Sequence, residues 1–215
     1  MFITKAILGK TYFVKCGDDV GTCFTFSKNG IDYLVTARHI VASIESPDVL
    51  LIERNKDWIP VEVGLIGYGK NGIDLAVFSV KSPIDSESCF LEVGVNEVTL
   101  GEDVYFLGFP VDLKATWENN DGFPVPFVKK GVVSAIDKNR FYLDGHAGPG
   151  FSGGPVVRWE KPNQVIGVVT GHLSSEDTVV DIEERGTSYI SRGNSGIATT
   201  CSSIAIAEVL SSRNI

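Results

Sequence analysis

A serine set among glycines, Gly150-Phe151-Ser152-Gly153-Gly154-Pro155, is the strongest local chemical signal in the chain. Glycines allow a tight, exposed turn whose amide N–H groups face outward, which is the setting a hydroxyl nucleophile needs beside an oxyanion hole. A serine that merely caps a turn has the same flanks, so partners must decide between the two readings. Two partners lie upstream. Thr36-Ala37-Arg38-His39 ends an apolar run and opens a short helical turn, a place from which an imidazole projects while a strand holds it rigid. Gly72-Ile73-Asp74-Leu75-Ala76-Val77-Phe78 puts one carboxylate at the lip of an apolar strand. Buried acids are rare unless paired, and an imidazole N–H is a suitable donor to one.

Chain order separates the candidate chemistries. The serine peptide also fits G-x-S-x-G, the nucleophile elbow, but that arrangement requires Ser, then Asp or Glu, then His along the chain. After Ser152 the remaining histidine is His172, with no Asp between them and Glu160 only eight residues on. The alternating helices and strands of that fold are missing as well. The order His39, Asp74, Ser152 is instead that of the His-Asp-Ser triad on paired β-barrels.

The elements that must position these groups read as strands. Short β-branched and aromatic runs recur at 11–15, 21–26, 33–36, 49–53, 61–66, 75–80, 104–108, 131–136, 141–143, 155–159, 165–170 and 187–190. Asn29-Gly30 and Asn71-Gly72 supply the positive dihedrals of tight turns and imply antiparallel pairing. Two stretches look helical, 37–43 and 202–212, the second with an apolar stripe of Ile204, Ala207, Val209 and Leu210. A loop over 111–126, rich in Asp, Asn, Gly and Pro, divides the strands into two all-β halves. The polar segment 174–196, with its acidic run, reads as a solvated loop. Gly67-Tyr68-Gly69-Lys70-Asn71-Gly72 spells a dinucleotide fingerprint, but a strand rather than a helix follows it, so it reads as a hairpin loop. Trp58, Trp117 and Trp159 form no stripe that would suggest base stacking.

Nineteen Lys plus Arg against twenty-seven Asp plus Glu give a formal charge of -8, a surface that repels phosphate backbones and anionic membrane. Neither nucleic acid nor a membrane is expected as a partner, and no feature specifies an oligomeric state. The cysteines at 16, 23, 89 and 201 contain no C-x-x-C pair, and the three histidines are scattered, so no metal site is expected. The N-terminus lacks the marks of a secretory signal, and no apolar run approaches the roughly eighteen residues of a membrane span. With thiols expected to be reduced, a cytoplasmic protein follows.

The chain resembles a trypsin-like serine protease, most closely the protease domain of the HtrA/Deg type. The motifs that carry the likeness are Gly21-Thr22-Cys23-Phe24, Thr36-Ala37-Arg38-His39, Asp74-Leu75-Ala76-Val77, Gly108-Phe109-Pro110, Gly131-Val132-Val133-Ser134, residues 144–155 and Val165-Ile166-Gly167, in order from about residue 20 to 172. The resemblance implies an all-β fold of two six-stranded antiparallel β-barrels, chymotrypsin-like, with a short C-terminal helix. It implies one peptidase domain over 1–215, with the first barrel in 1–110, an inter-barrel loop in 111–126, the second barrel in 127–200 and the helix in 201–215, leaving no room for a PDZ module. By the same resemblance Ser152 is the nucleophile, His39 the general base and then acid, and Asp74 the group that orients the imidazole. Gly150 and Ser152 supply the oxyanion-hole amides. Thr170 falls where relatives carry a serine whose hydroxyl approaches the acid, and Thr170, Gly171 and His172 lie on the strand that pairs with substrate backbone. No cofactor is implied, and the partner is a protein or peptide substrate. A catalytically silent peptide-binding module on the same fold is the rival reading.

The departures carry information too. Phe151 replaces the Asp or Asn beside the nucleophile, so activation by pairing a freshly cut N-terminus with that Asp does not apply. Arg38 stands where a small alanine is usual and needs space or a carboxylate. Trypsins hold a basic substrate side chain with an aspartate six residues before the serine, where this chain has His146 beside Ala147, and glutamate-selective relatives use a histidine where this chain has Val169. A preference for small or medium apolar side chains before the cut is therefore expected.

Overall fold

The computed structural model describes residues 3–85, 91–93, 97–110, 113–115, 120–182 and 187–213, with the backbone alone for 175–182 and 187–192. Trp117 and Cys89 fall outside the described residues. A short helix, α1 (Lys5–Gly9), which the residue pattern did not announce, leads into the first barrel. That barrel comprises β1 (Thr11–Cys16), β2 (Asp19–Lys28), β3 (Ile31–Thr36), β4 (Val49–Arg54), β5 (Asp57–Tyr68) and β6 (Ala76–Val80), closed in the order β1-β2-β3-β6-β5-β4. The second contains β7 (Glu92–Val93), β8 (Asp103–Gly108), β9 (Phe127–Asp137), β10 (Arg140–Asp144), β11 (Pro155–Arg158), β12 (Gln164–Ile182) and β13 (Thr187–Ser202). Its sheet order is β11-β8-β9-β10-β13-β12, closed by a β11–β12 pairing, with β7 added in parallel to β12. Helix α2 (Ile204–Ser211) follows, inside the expected 202–212.

Strands buried on both faces explain the continuous apolar runs. Leu34 of β3 points into the first barrel with Ala76 and Phe78 of β6, while Tyr33, Val35 and Val77 point outward into a second cluster shared between the barrels. Successive side chains alternate across a strand, so such a strand must be apolar at every position rather than every second one. The shared cluster receives Leu107, Val157 and Val168 from the second barrel and Ile206, Val209 and Leu210 from α2. The interior of the second barrel is filled by Phe106, Phe141, Leu143, Phe151, Ile166 and Val169.

Three expectations need correction. The division between halves does not follow residue 110: β8 hydrogen-bonds to β9 and β11, so it belongs to the second barrel. The 111–126 loop therefore joins two strands of the second barrel, β8 and β9, rather than linking the barrels, and among its described residues Phe123 is buried in the first barrel core and the Gly122 carbonyl accepts from the Asn55 N–H at 2.7 Å. The polar stretch 174–196 is not a loop, since β12 and β13 pair from Ser174↔Asn194 out to Ile182↔Thr187. Its sequence is mostly polar and shows no sustained hydrophobic alternation by which a strand could be recognised.

Candidate active site

His39 lies in a one-turn 3-10 helix (Arg38–Val41) directly after β3, pinned by the buried side chains of Ile40 and Val41. Asp74 lies between the turn at Asn71-Gly72, whose φ values are 54° and 72°, and the start of β6. Ile73 and Leu75, on either side of it, are buried in the inter-barrel cluster and fix the direction in which the carboxylate points. Asp74 Oδ2 meets His39 Nδ1 at 2.6 Å, and Oδ1 accepts the His39 backbone N–H at 2.9 Å. Both carboxylate oxygens thus hold one histidine, in ring and backbone. The hydrogen bond to Asp74 holds the imidazole above its ordinary pKa; partial burial opposes this, and the charges of Asp74 and Asp19 add to it. Arg38 finds an aromatic partner rather than a carboxylate, its guanidinium lying 4.7 Å from the centre of the Tyr68 ring.

Ser152 comes from the second barrel, on the loop before β11. Gly148-Pro149-Gly150-Phe151 forms a turn in which the Phe151 N–H reaches the Gly148 carbonyl at 3.3 Å, with Pro149 second and Gly150 third at φ +94°. Proline followed by a positive-φ glycine is the signature of a type II turn. A Cβ at Gly150 would lie 1.9 Å from the Phe109 carbonyl oxygen, so both the dihedral and the space demand glycine. Beyond the turn, Gly153 N–H donates to Val169 O at 2.7 Å and Gly154 N–H to Phe151 O at 2.9 Å. Among the described residues the amides of Gly150 and Ser152 donate to nothing.

Thr22 of β2 joins this loop to the barrel that carries His39. Its N–H donates to the Ser152 carbonyl at 2.8 Å and its hydroxyl to the Gly150 carbonyl at 2.6 Å, while Phe109 N–H donates to that hydroxyl at 3.1 Å. Thr36 Oγ1, three residues before His39, donates to the Thr22 carbonyl at 2.8 Å. Thr22 stood inside a recognised motif, but nothing in its sequence position signalled this cross-barrel role. The structure contains no hydrogen bond from the Ser152 hydroxyl to the imidazole. In unliganded sites such bonds are often long and tighten only with substrate.

Phe151 takes up the anchoring role that an ion pair would otherwise have. Its ring is buried edge-on against Phe106 at 5.6 Å, with Lys129 Nζ 5.2 Å from the ring centre. The same ammonium donates to the His146 carbonyl at 2.6 Å, so one side chain braces both the serine loop and the wall before it. Residue type alone did not single out Lys129. His146 is exposed and Ala147 buried, and the Ala147 carbonyl accepts from Asn194 Nδ2 at 2.6 Å. Gly171 and His172 lie on β12 opposite Thr199 and Ala198, next to a register shift at Thr170. The expected bond from Thr170 to Asp74 is not made: its hydroxyl pairs with Thr199, 3.1 Å from both the carbonyl and the hydroxyl oxygen.

The trypsin-like peptidase domain model matches residues 21–168. The chain belongs to that family. It is a serine endopeptidase of all-β, double-barrel type. Its fold is similar to the serine endoprotease from Yersinia pestis, with TM-score 0.63 and 18% identity over 99% of this chain and 67% of that one. It is similar also to the Rv3671c protease of M. tuberculosis, in the active form (TM-score 0.62, 18% identity, 96% of this chain and 81% of that one) and in an inactive form (0.61, 17%, 96% and 90%). No curated protein matches the sequence. No helix among the described residues is long and apolar enough to cross a membrane.

Proposed function

We propose that the peptidase cleaves through an acyl-enzyme on Ser152. The Ser152 hydroxyl attacks the substrate carbonyl as its proton passes to His39 Nε2, and Asp74 stabilises the resulting imidazolium through the Nδ1–H bond. The oxyanion is received by the Gly150 and Ser152 amides. The imidazolium protonates the departing amine, and water then releases the acyl group by the same base assistance. The observation that carries this reading is that, in residues 150–154, the two amides an oxyanion needs are the ones left unspent by the fold.

The motif series further supports placing the protein with the HtrA/Deg-type peptidases, and the unpaired thiols of Cys16, Cys23 and Cys201 support a reducing, cytoplasmic setting. Substrate backbone pairs with Thr170, Gly171 and His172 by β-augmentation. Buried Ala147, with no acidic side chain at the His146 position, supports small or medium apolar side chains before the cut.

Treatment with a fluorophosphonate probe followed by mass spectrometry tests the reading. Ser152 should be modified in the native protein, unmodified in Ser152→Ala and modified far more slowly in His39→Ala. A folded protein that leaves the probe untouched is the outcome expected of the silent peptide-binding module instead.

A further inference from the structure

A cavity of about 280 Å3 opens beside the candidate triad, between the barrels. Asp74 lines it from the first barrel; Arg140, Tyr142, Thr170 and Leu173 line it from the second. Arg140, the first residue of β10, is exposed, and its Nη2 donates to the Gly72 carbonyl at 2.7 Å, which points the guanidinium across the cleft at the loop bearing Asp74. Among the described residues no carboxylate lies within ion-pair distance of it, and its Nε and Nη1 donors hold no partner. The nearest acid in the lining, Asp74, has both oxygens committed to His39. A guanidinium is a planar fork of donors suited to a carboxylate, and here the fork is left open toward the cleft.

We infer that Arg140 selects substrates with an acidic side chain at the second or fourth residue before the cut. The inference rests on the peptidase reading above. If the residue before the cut turns its side chain toward His146 and Ala147 of the second barrel, the next side chain along an extended substrate turns the opposite way, toward residues 71–74. The second and fourth residues then face the cavity and the third does not. Thr170 and Leu173 both line the cavity, so it runs along β12 past Gly171 and His172 and can serve either position.

The test compares kcat/KM for peptide pairs that differ only as Glu against Gln at the second or the fourth position. The wild-type protein should favour Glu by about tenfold at one of them, the scale of a partly exposed charged hydrogen bond, and the margin should shrink at high salt. In Arg140→Gln, which keeps an N–H donor for Gly72, the Glu/Gln ratio should fall to about one; in Arg140→Glu it should invert. No Glu preference at either position overturns the inference, as does a ratio that survives both substitutions. Fluorescence anisotropy of the same peptides on Ser152→Ala separates this from a failure of the peptidase reading. Equal binding of Glu and Gln peptides overturns the inference even where Ser152 reacts with the probe, and tighter Glu binding supports it even where it does not.

Discussion

At the scale of single residues, the Asp74–His39 pair sets both the working range and the sign of its pH dependence. The bond to Asp74 raises the imidazole pKa in the folded protein above its ordinary 6.5. A general base must be neutral, so kcat/KM should climb with pH through a midpoint above 6.5, readable from a pH–rate profile. The linked stability runs the other way: the pair's contribution is complete below about 6.5 and fades as pH rises through the folded pKa, diminished by the exposure of both side chains. Asp74→Asn should retain the fold and lower kcat by about four orders of magnitude, because an amide favours the wrong imidazole tautomer. Near-normal turnover in that variant would assign the orienting role to another acid. The His39–Asp74 pair and the glycine-set loop of Ser152 were legible in sequence because each lies in a short motif of fixed order. Thr22, Lys129 and Arg140 were not, since what matters about them is contact across the fold: Thr22 reaches Gly150 over 128 residues and Arg140 reaches Gly72 over 68.

At the scale of elements, legibility followed burial. Runs such as Tyr33-Leu34-Val35 and Ala76-Val77-Phe78 announce strands because the barrel and the inter-barrel cluster each claim one face. The hairpin arms beyond Ser174 announce nothing because their sequence is mostly polar and carries no sustained alternation. Turns were legible when marked by Asn-Gly, as at Asn29-Gly30 with φ 53° and 76°, and hidden at Asn55-Lys56, where a lysine adopts φ 69°. Two glycine substitutions separate a turn's conformational demand from its spatial one. A Cβ at Gly30 meets nothing within 4 Å, so Gly30→Ala should cost only the dihedral strain, about 1 kcal/mol in urea unfolding. At Gly153 a Cβ would lie 1.9 Å from the Thr22 carbonyl oxygen and 2.4 Å from Thr36 Oγ1, both in the scaffold that joins the serine loop to the His39 barrel. Gly153→Ala should therefore lose fluorophosphonate labelling almost completely while the far turn's variant keeps it. Labelling at the wild-type rate would mean that the loop can retreat from the first barrel and still work.

At the scale of the whole molecule, the candidate triad is divided between two barrels, so its geometry is only as stable as the cluster that joins them. Helix α2 seals that cluster, placing Ile206 at 0% exposure among side chains of both barrels. This helix was visible in sequence as an apolar stripe, but its position across the seam follows from the closure of both barrels, which no local pattern encodes. Truncating Ile206 to alanine leaves a void that neither barrel can fill without moving against the other, and should cost about 2–5 kcal/mol. The barrels themselves keep their separate cores, so the question is whether they come apart singly or together. Trp58 lies on β5 of the first barrel and Trp159 stacks on Tyr105 of the second, giving a fluorescence probe on each side. Because the seam buries side chains from most strands around it, we expect Ile206→Ala to shift a single urea transition to lower concentration. Variants retaining one tryptophan or the other should report the same midpoint, and Ser152 labelling should be lost at that midpoint as well. Two separated fluorescence transitions, with labelling lost at the first, would show that the barrels fold independently and that the shared cluster docks them rather than holding them as one cooperative unit.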